Sequence, residues 1–283
     1  MLNWTPDEPA KGPAVIDPTS YDNADFIPDG ESYFDRWPAA AEAFRQHHPE
    51  AQQRLDRPYG PGEREKYDLF LPERASPPEG LFVFLHGGFW RMSGRKDWSH
   101  LATGVLAHGW AVAIPSYPLA PHVHIAEITR AVARALPVLA AEAAGPIVLS
   151  GHSAGGHLAL RMVCPDVTLP PDVRSRIRGI LAISPLADLN PLLMLPMNEH
   201  LQIDAVEAER ESPILHPEPD CGVQVEVGGA ERPSFIDQAI RLADAWQRSD
   251  LTITPGKHHF DILDALESPD SAMVRKALAL AAG

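Results

Sequence analysis

With two cysteines in 283 residues, Cys164 and Cys221, the chain has no disulfide framework to hold it together. A chain this long buries a core without covalent staples, and so few thiols suit a reducing compartment, so a cytoplasmic protein is expected. Runs of lysine and arginine are missing as well. Twenty-four basic residues against 38 acidic ones give a net charge of −14. That excludes the basic face that draws a protein onto nucleic acid, and it disfavours anionic membrane surfaces. No stretch of about 18 apolar residues occurs, so no spanning helix is expected. The opening Met1–Glu8 has neither a basic flank nor an apolar run, so a signal peptide is not expected either. Repeats and low-complexity tracts, the usual marks of scaffold proteins, are absent too.

What remains is the balance of a globular protein: 45% apolar and 22% charged residues, punctuated by 29 prolines. Residues 1–60 are rich in Pro, Asp and aromatics, with one helical stretch near Phe34–Arg45, and are expected to form an irregular arm on the main body. From residue 61 to 283 strands alternate with helical patterns. Lys66–Leu71 alternates; Leu81–Leu85 is a continuous apolar run, as in a strand covered on both faces. Similar runs follow at Ala111–Ile114, Ile147–Leu149, Ile177–Ile183, Val223–Val227 and Leu251–Thr254. Between them, Ile125–Ala143 and Phe235–Trp246 have helical period, and Ser268–Ala281 closes the chain as a helix with Pro269 in its first turn. This alternation predicts an α/β fold, one mostly parallel sheet with helices on both faces. The proline-studded Leu186–Pro217 is the natural place for a lid or pocket wall, or else a helical crossover with an ornate loop.

Chemistry enters at Gly151-His152-Ser153-Ala154-Gly155-Gly156, a G-x-S-x-G sequence with a buried strand entering and a helix leaving. So sharp a turn leaves room only for glycine at positions 151 and 155. It lifts the Ser153 hydroxyl above the sheet and points a helix N-terminus at it. The strand Leu81–Leu85 ends in His86-Gly87-Gly88-Phe89-Trp90, where small residues let backbone N–H groups face outward. The N–H groups of Gly88, Phe89 and Ala154 are therefore candidates for an oxyanion hole. His86 is expected to bond within its loop, and Phe89 and Trp90 to wall the pocket, with ordinary core packing the alternative for Trp90.

A serine hydroxyl needs a base within reach. In the chain order Ser, acid, His, that base comes from the loop after the last strand, Pro255–Asp261. This demotes His47, His48, His100, His108, His122, His124, His200 and His216. Spacing alone does not separate His258 from His259. The pair lacks the further ligands at the spacing that zinc needs, so no metal is expected, nor any other cofactor. The acid that orients the imidazole should follow Val223–Val227, where Glu231 sits on the tight connection. Asp237, within the next helix, and Asp188, after Ile177–Ile183, are its rivals.

These residues resemble the α/β-hydrolase superfamily, and more narrowly the arylformamidase (kynurenine formamidase) branch with its bacterial esterase relatives. The branch carries an H-G-G-x-W motif, here His86–Trp90, and an elbow like Gly151–Gly156. Its N-H-F-type signature matches His258-His259-Phe260, which singles out His259 as the base and puts His258 beside the substrate pocket. Tyr67–Pro72, Tyr117–Pro121 and Ser184–Leu189 also fit, so the likeness runs from about residue 55 onward. The chain departs from the branch twice: Glu231 stands where Asp is usual, and His258 where Asn is usual.

The resemblance implies an α/β-hydrolase fold and two-step acyl transfer. Ser153, His259 and Glu231 would form the triad, acting on a small-molecule ester or amide. A general short-chain carboxylesterase or thioesterase is the alternative within the class. A hydrolase-like binding protein without turnover is the alternative outside it. A homodimer is the one macromolecular partnership entertained.

Overall fold

The computed structural model describes residues 17–73 and 77–282. Eight strands form one sheet: β1 (Gln53–Pro58), β2 (Lys66–Phe70), β3 (Leu81–Leu85), β4 (Ala111–Pro115), β5 (Ile147–His152), β6 (Ile177–Ile183), β7 (Gly222–Gly228) and β8 (Ser249–Thr254). Their order is β1-β2-β4-β3-β5-β6-β7-β8. The pairs β1–β2 and β2–β4 are antiparallel, and every other pairing is parallel. This is the mostly parallel α/β sheet that the alternation of strands and helices predicts, and it is the fold that the resemblance to α/β-hydrolases implies.

The apolar run of β3 shows why the sheet is central. Successive side chains point to opposite faces. Leu81, Val83 and Leu85 enter one core cluster while Phe82 and Phe84 enter the other. On the first face the helix Ile125–Ala140 lays down Ile125, Ile128, Val132, Leu136 and Leu139, all buried, beside Phe235 and Leu242 of Pro233–Ala245. On the second face lie Trp98, Leu101, Ile262, Leu263 and Val274. No described helix is long and apolar enough to cross a membrane.

Two features depart from the sequence pattern. β1 has no apolar alternation, and its edge position, largely exposed and broken by a bulge between Arg54 and Arg57, explains why. The last helix begins only at Ala272, because Ser271 Oγ accepts the Val274 N–H at 3.0 Å and caps it there, leaving Pro269 outside. Leu186–Pro217 lines no part of the cavity beside Ser153 and takes its other reading, a helical crossover packed into the first core face. Arg161, on the helix Ala154–Arg161, donates to Glu211 at 3.1 Å and to both Asp166 oxygens at 3.0 and 2.7 Å. Glu211 also accepts from Thr129 Oγ1 at 2.7 Å, and His157 Nε2 bonds the Glu211 carbonyl at 2.6 Å. One buried network thus ties three helices together. The neighbouring charges hold the Glu211 carboxyl below its ordinary range against the cost of burial.

The turn between β5 and the helix Ala154–Arg161 is the tightest point of the fold. A Cβ on Gly151 would enter the Gly155 carbonyl, and one on Gly155 would enter the carbonyls of Leu85 and His86 on the neighbouring β3 side. Helix and strand therefore touch backbone to backbone, and Ser153 between them sits at φ 54°, ψ −119°. Such a conformation costs about 1–3 kcal/mol and persists only because its surroundings impose it.

Two stability measurements test this. Arg161→Met should lower unfolding free energy by about 2–4 kcal/mol in urea titration, since it leaves the buried Glu211 charge only the half-exposed Arg210 at 3.3 Å and the Thr129 hydroxyl. Adding Glu211→Gln should then recover part of the loss, and a single variant as stable as wild type would contradict the network's role. Gly155→Ala should cost about 2–4 kcal/mol through overpacking against main chain. An unchanged urea midpoint would mean the helix can move off β3.

Candidate active site

β5 delivers Ser153 to the carboxyl end of the sheet, into a cavity of about 500 Å³ that also contains Gly87, Gly88, Phe89, His152 and His259. A groove of about 800 Å³ lies at the other end, where β6 and β7 begin, around Arg174, Cys221 and Lys276, and holds none of these groups.

The loop after β3 runs through three consecutive positive φ values: 103° at Gly88, 49° at Phe89 and 56° at Trp90. This curl turns successive main-chain N–H groups toward one side. Among the described residues no acceptor pairs with the N–H of Gly88 or Phe89. The Ala154 N–H, at the first helical position, lacks an intrahelical acceptor by construction. His86 holds the loop from behind: Nδ1 bonds the Gly87 carbonyl at 2.8 Å, and the ring stacks on Tyr117 at 4.1 Å. Complete burial pushes its pKa down to about 3, so it stays neutral.

His259 and Glu231 meet as a buried pair, Nδ1 to Oε2 at 2.6 Å, with both side chains almost fully enclosed. Glu231 Oε1 accepts two further bonds, from Ser184 Oγ at 2.6 Å and from the Gly228 N–H at 2.7 Å. A carboxylate taken out of water needs such donors, and here three of them satisfy it. The His259 ring packs on Phe235 at 4.2 Å and on His152 at 4.5 Å. Ser153 and His259 share the cavity, but among the described residues no hydrogen bond joins the serine hydroxyl to the imidazole. Catalytic hydrogen bonds are often open in an unliganded enzyme.

The two rival acids lie elsewhere. Asp188 pairs with Arg241 at 2.6 Å and caps Asn190, while Asp237 is largely exposed, 3.7 Å from Arg241. Two expected pocket residues are also misplaced by the sequence reading. Trp90 is fully buried in the first core cluster, edge-on to His157 at 5.1 Å, and does not line the cavity. His258 does not line the cavity. Its Nδ1 accepts the Phe260 and Asp261 N–H groups at 3.2 Å, and its Nε2 lies 3.4 Å from Tyr33 Oη, so it braces the loop from the outer side.

The sequence reading also missed residues that build the site. Ser184, at φ 47°, lies within the segment that fits the family, but its fully buried hydroxyl supports Glu231 from behind the cavity, a role the sequence reading did not assign. The outer wall comes from residues 22–25, 34, 37 and 38, with Met92, Trp98 and Phe260. The helix Tyr33–His47 reaches it by packing Trp37 on Trp98 at 4.7 Å and by the Arg45–Ser99 bond at 2.8 Å. Elsewhere, Cys164, Asp166 and His216 place three potential ligand atoms within 4.8 Å. The Arg161 guanidinium already bonds Asp166 and His216 there, so a cation would have to displace one.

Comparisons with known proteins agree with this fold. A family model described as alpha/beta hydrolase fold matches residues 82–218. A kynurenine formamidase of Salmo salar is 30% identical over 235 residues, covering 78% of this chain and 79% of that protein. The Danio rerio kynurenine formamidase is 29% identical over 226 residues, covering 75% and 76%. A crystal structure of a candidate thioesterase from Silicibacter sp. has 49% identity and a TM-score of 0.88, covering 93% of this chain and 98% of that one. Esterase B of Lactobacillus rhamnosis, inhibited by a tributyrin phosphonate, shares the fold at TM-score 0.70 and 18% identity, covering 89% and 94%. By fold and relatives, the chain belongs to the α/β-hydrolase family, among hydrolases related to kynurenine formamidases and esterases.

Proposed function

We propose that the protein is a serine hydrolase that cleaves a small aryl formamide or acyl ester through an acyl-enzyme. The observation that carries this reading is the buried His259–Glu231 bond of 2.6 Å in the same cavity as Ser153. A carboxylate at Nδ1 fixes the tautomer that leaves Nε2 free to accept a proton, and it stabilises the imidazolium that results.

His259 Nε2 takes the Ser153 proton as Oγ attacks the carbonyl carbon. The N–H groups of Gly88, Phe89 and Ala154 receive the oxyanion. Collapse expels the leaving amine or alcohol, which takes the proton from His259. Water, activated by the same base, then releases the acid and restores Ser153. No metal or organic cofactor is needed for these steps.

The cavity wall bears on the substrate. Phe34, Trp37, Phe89, Trp98 and Phe260 line it with aromatic surface suited to an aromatic leaving group. The charged residues that line it are carboxylates, Asp22, Asp25 and Asp97, with no lysine or arginine among the described lining residues. That favours an aryl formamide or neutral ester over a polyanionic thioester, whose phosphates would find no cation here.

Turnover of N-formyl-L-kynurenine, p-nitrophenyl acetate and p-nitrophenyl butyrate tests the proposal. Ser153→Ala should remove activity on all of them and abolish labelling by a fluorophosphonate. Glu231→Gln should lower kcat by about 10³–10⁴-fold, whereas Asp188→Asn should leave it within about twofold. A formamide preference of about 100-fold or more, roughly 2.7 kcal/mol of differential transition-state binding, would establish a formamidase. Preference for the simple esters would keep the mechanism and make the enzyme an esterase. Turnover that survives Ser153→Ala would sink the mechanism.

A further inference from the structure

His152, the residue before the nucleophile, is almost completely buried, yet it lines the catalytic cavity. Its Nε2 lies 2.8 Å from the backbone carbonyl of His259. A carbonyl only accepts, so Nε2 carries the ring's proton. Burial, reinforced by the neighbouring His259, holds the pKa of His152 well below the ordinary histidine value, so the ring is neutral. Its other nitrogen, Nδ1, is then a bare acceptor. A Cβ built on Gly87 would stand 3.0 Å from this Nδ1 and 3.3 Å from the Ser153 Cβ, so the acceptor and the nucleophile border the same spot.

The position of His259 gives that acceptor a use. The leaving atom of the substrate must approach His259 Nε2 to be protonated, and the His152 ring centroid is 4.5 Å from that of His259. We infer that His152 Nδ1 receives the N–H of a scissile formamide and so selects amide substrates over the matching esters. This rests on the serine-hydrolase reading and narrows its substrate class.

As the tetrahedral intermediate collapses, the C–N bond breaks and its electron pair goes to nitrogen. Nitrogen takes the proton from His259 Nε2, and the acyl group stays on Ser153 Oγ. Throughout, the nitrogen keeps its original hydrogen, and that N–H points at His152 Nδ1. An ester oxygen has no hydrogen to offer and meets Nδ1 lone pair to lone pair. The bond from Nε2 to the His259 carbonyl keeps the ring in the tautomer this selection needs.

The test compares kcat/KM on p-nitroformanilide and p-nitrophenyl formate, with Ser153→Ala as the blank. His152→Gln keeps a donor near the Nε2 position but loses the acceptor at Nδ1. It should lower the anilide-to-ester ratio by about tenfold, the worth of one hydrogen bond between neutral groups. His152→Asn, which returns a carbonyl oxygen near Nδ1, should restore most of the ratio even if both rates fall. Equal losses on the two substrates, or no recovery with Asn, would reduce His152 to packing and overturn the inference. The wild-type protein gives an independent reading, because N-methylation of the anilide removes the hydrogen and should cost about tenfold; parity overturns the inference without any variant. Turnover of the ester but not the anilide would overturn it too, while leaving the serine-hydrolase mechanism intact. Absence of Ser153-dependent turnover on both would take down the reading beneath it as well.

Discussion

The backbone contact between Gly155 and the end of β3 is the constraint on which the rest of the site depends. Two loops must supply groups to one point: the loop after β3, with its outward N–H groups, and the turn after β5, with Ser153. Because Gly155 has no side chain, its helix rests directly on the carbonyls of Leu85 and His86. The register between the loops is then set by main chain, which does not repack as side chains do. The positive φ at Ser153 is the cost of that closeness, and the parallel pairing of β3 with β5 sustains it.

Glu231 does the corresponding work on the other side. Its three donors come from Ser184 just past β6, Gly228 at the end of β7 and His259 just past β8. One carboxylate therefore joins the carboxyl ends of three neighbouring parallel strands. In water these bonds would be exchanged for solvent at little net gain. In a closed interior the same bonds decide whether the charge can be buried at all. Holding the imidazole and holding the sheet end together are thus one arrangement.

How much of this was legible in the sequence depends on where the information resides. The continuous apolar runs and the helical period of Ile125–Ala140 report burial directly, so the parallel sheet and its helices could be read. Gly151 and Gly155 were readable because only steric exclusion of a side chain explains glycine on both sides of a serine there. Glu231 followed from chain order, since connections in such a fold return to the same sheet end. For Trp90, pocket wall and core packing were both open in the sequence, because an apolar aromatic next to a loop suits either; it packs in the core. His258 was misread because adjacent residues on an irregular loop point in different directions, and periodicity says nothing about which. The outer wall from residues 22–38 was invisible for another reason: an arm's docking site is a tertiary property, and its local sequence carries no mark of where it lands. The Ser184–Leu189 segment fitted the family, but nothing local marked the Ser184 hydroxyl as a donor to Glu231.

The glutamate at position 231 also explains its neighbours. The Gly228–Glu231 turn is closed by the Glu231 N–H to the Gly228 carbonyl at 3.2 Å, and the side chain folds back so that Oε1 receives the Gly228 N–H. A Cβ on Gly228 would stand 3.1 Å from Glu231 Cγ and would enter the Lys257 carbonyl. The longer acid therefore needs a bare backbone beneath it. The same absence lets the 257–259 loop lie close, as the Ala230 N–H bond to the Lys257 carbonyl at 2.9 Å shows. That approach brings the His259 ring down onto Oε2. An aspartate on this turn would carry its carboxylate one methylene nearer the main chain, away from both Ser184 and His259. Glutamate, Gly228 and the left-handed Ser184 are best understood as one solution to a single geometric demand: placing a three-donor carboxylate beneath an imidazole.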